Sequence, residues 1–209
     1  VFAADMDGDG DMDILSASWL DDTIAWYENN GAANPTWTAA DIVTDKVNAR
    51  SVFAADMDGD GDMDILSGSV GDNTIAWYEN NGAADPTWTA ADISTSADGV
   101  NSVFAADMDG DGDMDIISAS YKDDTIAWYE NNGAANPTWT KAVIATSADG
   151  ANSVFAADMD GDGDMDILSS SYIDDTIAWY ENNGAANPTW TAANIATSAD
   201  GAHSVFAAD

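Results

Sequence analysis

Residues 52–66 read VFAADMDGDGDMDIL, and this segment is the strongest indication of the fold because it is repeated at a fixed interval. Its first fourteen residues begin at positions 1, 52, 103 and 154, a period of 51, and a fifth copy begins at position 205. Two further strings, TIAWYENNGAA and PTWT, keep the same interval. A strict period of this length indicates one supersecondary unit stacked on itself. The predicted division is into repeats 1–51, 52–102, 103–153 and 154–204, with 205–209 as the truncated first strand of a further repeat.

Each repeat contains four short segments with strand composition and no window with helical periodicity. In the second copy the predicted strands are 51–56, 63–69, 74–80 and 88–95. Four short strands in about 50 residues are typical of one blade of a β-propeller, whereas the coils of a β-solenoid, the alternative, usually repeat at shorter periods. Apolar residues also stand side by side in Val52-Phe53 and Ile65-Leu66, so both faces of the sheet must be covered. The predicted fold class is therefore all-β, a β-propeller of four-stranded blades.

The charge of the chain is extreme, with 39 acidic residues against 4 Lys or Arg and a formal net charge of −35. Such a polyanion lacks the basic surface that neutralises phosphates, so we expect no nucleic-acid binding. No apolar run approaches the length of a membrane span, so we expect no membrane insertion. Hydrophobic residues make up 45% of the chain, which is enough for a packed core and argues against a disordered acidic tail.

The acidic residues are concentrated in one nine-residue motif, D-M-D-G-D-G-D-M-D, present in every repeat. Five carboxylates in nine residues repel one another unless a cation compensates them. Carboxylates at positions 1, 3 and 5 with Gly at position 6 fit a Ca²⁺ loop better than Mg²⁺, and an EF-hand is excluded because its twelfth position holds Ser rather than Glu. We predict about one Ca²⁺ per repeat, four per chain. The candidate ligands are Asp5, Asp7, Asp9, Asp11, Asp13, Asp56, Asp58, Asp60, Asp62, Asp64, Asp107, Asp109, Asp111, Asp113, Asp115, Asp158, Asp160, Asp162, Asp164 and Asp166.

The motif D-M-D-G-D-G-D-M-D-I-L, followed by TIAWYENNG, resembles the FG-GAP/VCBS repeat superfamily over essentially the whole chain. That group includes the integrin α-subunit propeller and repeats of many bacterial extracellular proteins. The resemblance implies seven- or eight-bladed propellers whose Ca²⁺ lies in the hairpin between the first and second strands of a blade. The sequence departs from the family pattern at Ala3 and its equivalents, where the family has Gly after Phe.

Four repeats are fewer than the family's usual ring, and the chain begins at Val1 within a copy of the motif. We therefore expect a window of a longer repeat array, or two chains pairing head to tail as a ring of about eight blades. An isolated four-bladed ring is the third alternative, because it would leave residues 204–209 as a surplus strand competing with residues 1–5. A heterologous interface that closes makes a ring, and one that does not makes a filament. Self-association or continuation of the repeat chain is thus the predicted partnership.

The sequence offers no catalytic constellation, and we predict no enzymatic activity, no catalytic residues and no organic cofactor. The single histidine, His203, occupies a position held by Arg50, Asn101 and Asn152 in the other copies, which is typical of a connector rather than a general base. Carboxylates such as Glu28 also recur in four equal copies, whereas an active site is asymmetric.

The repeats differ in the loop between the second and third strands, which carries Trp19, Tyr121 and Tyr172 at equivalent positions and Val70 in the second copy. Aromatics beside carboxylates suit sugar stacking, or they cover a strand end. Two functions follow: a Ca²⁺-stabilised extracellular or cell-surface scaffold, structural or adhesive, and alternatively a multivalent, lectin-like carbohydrate-binding propeller.

Overall fold

The computed structural model describes residues 1–208, which are all-β and contain sixteen strands and no helix. The strands are β1 (Phe2–Ala4), β2 (Asp13–Ser18), β3 (Thr23–Asn29), β4 (Trp37–Val43), β5 (Ala49–Ala55), β6 (Asp64–Ser69), β7 (Thr74–Asn80), β8 (Trp88–Ser94), β9 (Val100–Ala106), β10 (Asp115–Ser120), β11 (Thr125–Asn131), β12 (Trp139–Ala145), β13 (Ala151–Ala157), β14 (Asp166–Ser171), β15 (Thr176–Asn182) and β16 (Trp190–Ala196). No helix in this part of the chain has the length and hydropathy needed to cross a membrane.

The strands form four sheets of four antiparallel strands, each a meander in which neighbours in sequence are neighbours in space. The four strands predicted for the second copy are confirmed as β5 to β8, although β5 starts two residues earlier, at Ala49. The Ser51–Ala55 part of β5 pairs with β6 in one register, with Phe53 opposite Leu66. Because a one-residue slip would exchange the faces of every side chain, identical strand sequences fix identical registers in all four sheets.

The core lies between the sheets. Ile65 and Leu66 are adjacent in β6, point to opposite faces, and are both fully buried. Leu66 joins a cluster with Ile116 of the following sheet, and Ile65 joins one with Leu15 of the preceding sheet. All six residues of β6 are buried, whereas β2 in the first sheet has only two buried residues because only one of its faces is covered. The prediction that both faces of an inner sheet need cover is confirmed.

A ladder of phenylalanines runs along the first strands of successive repeats. Between ring centroids, Phe53 lies 4.4 Å from Phe2 and 4.6 Å from Phe104. Phe155 continues the stack, 4.9 Å from Phe104 and 4.8 Å from Phe206. The planes are tilted by 45–58°, an arrangement that the ring quadrupoles favour over face-to-face stacking. The ladder holds neighbouring sheets at a constant spacing along the edge formed by their first strands.

The four sheets follow one another without closing into a ring. Residues 202–208 have no strand assignment, so the predicted truncated strand at 205–209 remains a prediction, and Asp209 lies outside the described residues. The Val205 N–H nevertheless donates to Ser153 Oγ at 3.4 Å, as the N–H groups of Val103 and Val154 do to the serines of the sheets before them. The tail thus lies against the fourth sheet much as each sheet lies against its predecessor.

Candidate metal centre

Each aspartate motif folds into the hairpin that joins the first and second strands of its sheet. In the second repeat this loop runs from Asp56, after β5, to Asp64, which starts β6. Two glycines inside it, Gly59 and Gly61, have φ of 76° and 98°, and nothing would contact a Cβ at either. Glycine is needed here for its backbone freedom, since side chains rarely tolerate these angles.

The first aspartate of the motif organises the loop backbone. Asp56 Oδ1 accepts hydrogen bonds from the N–H groups of Gly59 (2.8 Å) and Asp60 (3.1 Å), and its Oδ2 accepts one from Gly61 (3.0 Å). Asp58 Oδ1 also accepts from the Asp60 N–H at 3.2 Å. The loop is therefore wrapped around carboxylates by its own amides, which offset part of their mutual repulsion.

The last aspartate of the motif is buried at the base of the loop. Asp64 is 1% exposed; its Oδ1 accepts from the Asn80 N–H at 2.7 Å and its Oδ2 from the Met57 N–H at 3.0 Å. Burial raises the pKa of Asp64 to about 7, although these two backbone donors act in the opposite direction. Burial raises the pKa of Asp115 to about 7 in the same way. A carboxylate held this far from water is stabilised in its charged form by a neighbouring cation.

Three carboxylates of the loop converge. Asp56, Asp58 and Asp64 each offer an oxygen, and these atoms lie within 4.8 Å of one another. The first and third repeats assemble the equivalent positions, whereas the fourth uses positions 1, 3 and 5 on a fully exposed loop. The other triads are Asp5, Asp7, Asp13; Asp107, Asp109, Asp115; and Asp158, Asp160, Asp162.

The remaining predicted ligands lie outside the triads. Asp60 Oδ1 accepts from the Asp62 N–H at 3.0 Å, which turns the loop, and the Asp62 carboxylate leans on Gly82 of the β7–β8 connection. The structure thus brings together three of the five aspartates of each motif. Those outside are Asp9, Asp11, Asp60, Asp62, Asp111, Asp113, Asp164 and Asp166.

The triads have the chemistry of a hard-cation site. Their donors are all carboxylate oxygens, the ligand type that Ca²⁺ and Mg²⁺ prefer. Burial, followed by the charges of Asp60 and Asp56, raises the pKa of Asp58, so this cluster is unfavourable when fully ionised and unneutralised. The pKa values of the equivalent residues Asp7 and Asp109 are raised as well, again with burial as the largest cause. The residues present therefore fit a divalent cation.

One functional contact was missed by the sequence argument. Asn80, at the end of β7, is 3% exposed; its Nδ2 donates to the Met63 carbonyl at 3.0 Å and to the Met6 carbonyl of the preceding repeat at 2.9 Å. Asn131 and Asn182 repeat the second bond, to Met57 and Met108. Each of these asparagines therefore ties its sheet to the aspartate loop of the repeat before it. The sequence feature that could have indicated this contact is the Asn at the end of TIAWYEN, which is present in all four repeats.

The predicted ligand contacts lie at the opposite end of the sheets, since the β2–β3 and aspartate hairpins leave β2 at different ends. Trp19, Tyr121 and Tyr172 all line one cavity of about 340 Å³. His203 lines it too, stacked edge-on against Tyr172 at 5.1 Å between centroids. The three aromatic residues, predicted as separate ligand contacts of a multivalent protein, therefore line the same cavity.

Comparisons with known proteins agree with this architecture. A model of the FG-GAP-like repeat family matches residues 5–67, 65–118 and 107–169. No curated protein matches the sequence significantly. Among solved structures, the V. cholerae biofilm matrix protein Bap1 is similar with a TM-score of 0.56 and 22% sequence identity, over 97% of this chain. The chain spans 29% of the length of Bap1, and at this identity the likeness shows the fold alone.

Proposed function

The chain belongs to the FG-GAP-like repeat family, and from that premise we propose that it is an extracellular calcium-binding repeat protein that acts as a structural or adhesive scaffold. The observation that carries this proposal is the carboxylate triad, present in each of the four repeats. The biofilm matrix role of Bap1 supports an extracellular setting, where calcium is plentiful.

Calcium is the proposed ion because the triads supply only oxygen and the loops supply further oxygens nearby. Asp56, Asp58 and Asp64 would hold the ion in the second repeat, and the corresponding triads would hold it in the others. When bound, the ion would supply positive charge at the most crowded carboxylates of a chain with net charge −35. Since Asp64 also holds the backbone of β7 through Asn80, ion binding would stabilise the sheet and not only the loop.

The sheets are proposed to be blades of a propeller. The family membership and the stacking of four-stranded meanders through their inner strands support that arrangement. An open array of four blades leaves sheet faces uncovered at both ends, as the half-buried β2 of the first sheet and the part-exposed β15 of the last sheet indicate. Continuation of the repeats or head-to-tail association of chains, as a ring or a filament, would cover those faces.

A non-catalytic role follows from the same symmetry. The acidic clusters recur at equivalent places in every repeat, which suits a load-bearing array and not a single reaction centre. Carbohydrate binding, the alternative function, is supported by one observation: Trp19, Tyr121 and Tyr172 meet in one cavity.

Calorimetric titration of chelator-dialysed protein with CaCl2 tests the proposal. We expect about four ions per chain, one per triad, and a melting temperature that rises on binding. Asp58→Asn should remove one ion, while the matched control Asp85→Asn, on an exposed loop of the same repeat, should leave the stoichiometry unchanged. A melting transition that is identical with calcium and with chelator would overturn the calcium assignment.

The scaffold role has a separate readout. Electron microscopy and sedimentation in calcium should show concentration-dependent rings or filaments with the spacing of stacked blades. A chain that binds calcium but stays monodisperse at every concentration would contradict assembly while leaving the metal sites intact.

A further inference from the structure

The cavity at the end opposite the aspartate loops is built from positions at which the repeats differ. One set lies in the loop between the second and third strands of each sheet, and the other is the second residue of the first strand of the following sheet or, for His203, the equivalent position in the tail. Every lining residue belongs to one of these two sets except Lys122, which follows Tyr121. The lining is Trp19, Val70, Tyr121, Tyr172, Arg50, Asn101, Asn152, His203 and Lys122.

The walls of the cavity are flat and apolar. Trp19 and Tyr172 are 40% and 43% exposed, so part of each ring is open to solvent. Tyr121 lies between them in the array, and Val70 completes the set. Exposed aromatic faces of this kind offer stacking surfaces with little conformational entropy to lose.

One cationic group in the cavity, Arg50, has no carboxylate partner within residues 1–208. The Arg50 guanidinium lies 5.4 Å from the ring centroid of Trp19. In a chain with 39 acidic and 4 basic residues, a guanidinium left unpaired is available to a ligand. Lys122, in contrast, is engaged with Asp98 at 3.6 Å and with the Val70 carbonyl at 3.3 Å.

A row of amides crosses the same surface. Asn101 Nδ2 donates to Asn152 Oδ1 at 2.8 Å, and Asn152 Nδ2 lies 2.9 Å from His203 Nδ1. Asn152 is 8% exposed, so this row is held in place and is not a set of free surface side chains. The cavity therefore combines stacking faces with fixed hydrogen-bonding groups, the combination found in small-molecule sites.

We propose that this cavity binds one uncharged pyranose unit of a glycan, with the ring stacked on the aromatic walls and its hydroxyls bonded to Arg50 and to Asn101, the half-buried member of the amide row. Its volume of about 340 Å³ suits a sugar unit and not a protein segment. Uncharged sugars are favoured over acidic ones because the chain carries a net charge of −35 and Lys122 is already neutralised by Asp98. Because four repeats contribute to it, there is one site per chain. The inference rests on the alternative function, carbohydrate binding, and names its ligand class; it depends neither on calcium binding nor on assembly.

The test is a titration of the full chain in calcium with methyl pyranosides of glucose, galactose and mannose and with glucuronic acid, followed by tryptophan fluorescence and calorimetry. We expect saturable binding of at least one neutral pyranoside at one site per chain. Arg50→Ala and Tyr121→Leu should each weaken it about tenfold or more. Leu20→Ala is the matched control, since Leu20 adjoins Trp19, is 93% exposed and does not line the cavity.

Three results would overturn the proposal. These are the absence of binding by every neutral pyranoside, binding that Tyr121→Leu and Arg50→Ala leave unchanged, and binding confined to glucuronic acid, which would assign an acidic ligand. Melting curves and calcium stoichiometry of each variant, measured alongside, separate a lost sugar site from a lost fold. Failure of calcium binding or assembly would leave the sugar result standing, and the reverse also holds.

Discussion

Replacing Asn131 with alanine should strongly lower the free energy of unfolding, although the residue is a polar one at the end of a strand. Its side chain is 3% exposed and makes three hydrogen bonds: Nδ2 donates to the carbonyls of Met57 (2.9 Å) and Met114 (3.1 Å), and Oδ1 accepts from the Gly133 N–H (3.1 Å). Each bond contributes about 1 kcal/mol net, and a buried group left unpaired costs about 1–3 kcal/mol. We therefore expect a loss of about 3–5 kcal/mol in the free energy of unfolding.

Asn29 provides a matched control inside the same molecule, because within residues 1–208 it makes the local bonds of the other asparagines and no bond to another repeat. It keeps the local bonds, to the Met12 carbonyl at 3.1 Å and from the Gly31 N–H at 3.2 Å, but has no bond to an earlier loop. Asn29→Ala should cost only about 1–2 kcal/mol, since these groups remain open to water.

Urea denaturation followed by tryptophan fluorescence measures both variants under the same calcium concentration. Because arrays of repeats do not always unfold in two states, the midpoint and the slope are compared together. The expected difference between Asn131→Ala and Asn29→Ala is about 2–3 kcal/mol. Equal losses of unfolding free energy for the two variants would contradict this prediction, because they would show that the hydrogen bond between repeats contributes nothing to stability.

Three further outcomes are expected. In chelator, stability should fall as pH rises from about 4 to about 7, because the pKa values of Asp64 and Asp115 are raised to about 7 in the folded chain and the folded state then binds protons that the unfolded state has released. Each group contributes up to about 4 kcal/mol to this fall. Melting temperatures measured against pH should therefore vary less when these two aspartates are replaced by Asn, and also when calcium is present. Gly82→Ala should destabilise by about 1–3 kcal/mol in thermal melts, because Gly82 has φ of 64° and a Cβ there would overlap the carboxylate that leans on it; an unchanged melting temperature would contradict this. Phe104→Ala should cost about 3–4 kcal/mol and Phe2→Ala less, because Phe104 stacks on two rings and Phe2 on one; chemical denaturation decides between them.

The repeat period and the strand composition were enough to predict the four-stranded units and the burial of both sheet faces. Ile65-Leu66 shows why: two adjacent apolar residues in a strand must point to opposite sides, and both sides are covered. The ring itself could not be predicted from strand patterns, because closure depends on how many sheets stack and on the small rotation between them. In the structure the four sheets remain open.

For the candidate site, spacing identified the loop but not which carboxylates meet. The motif presents five equivalent-looking aspartates, yet in the second repeat Asp60 Oδ1 accepts from the Asp62 N–H and the Asp62 carboxylate leans on Gly82, so neither joins the triad. Calcium binding and the role of each aspartate as a ligand remain predictions. The cavity was out of reach of sequence reasoning for a different reason: Arg50 is 31 residues from Trp19, and only the stacking of one sheet on the next brings them together.

Two contacts recur at the junctions between repeats along residues 1–208. The phenylalanine stack and the asparagine bond recur with nearly constant distances, 4.4–4.9 Å between rings and 2.8–2.9 Å between Nδ2 and the methionine carbonyl. A unit that is duplicated or deleted in its entirety would meet, on either side, a surface that it already fits. In the open arrangement of the four sheets, whole units of 51 residues can therefore be added or removed while these two contacts are kept, so that the length of the array changes in fixed steps.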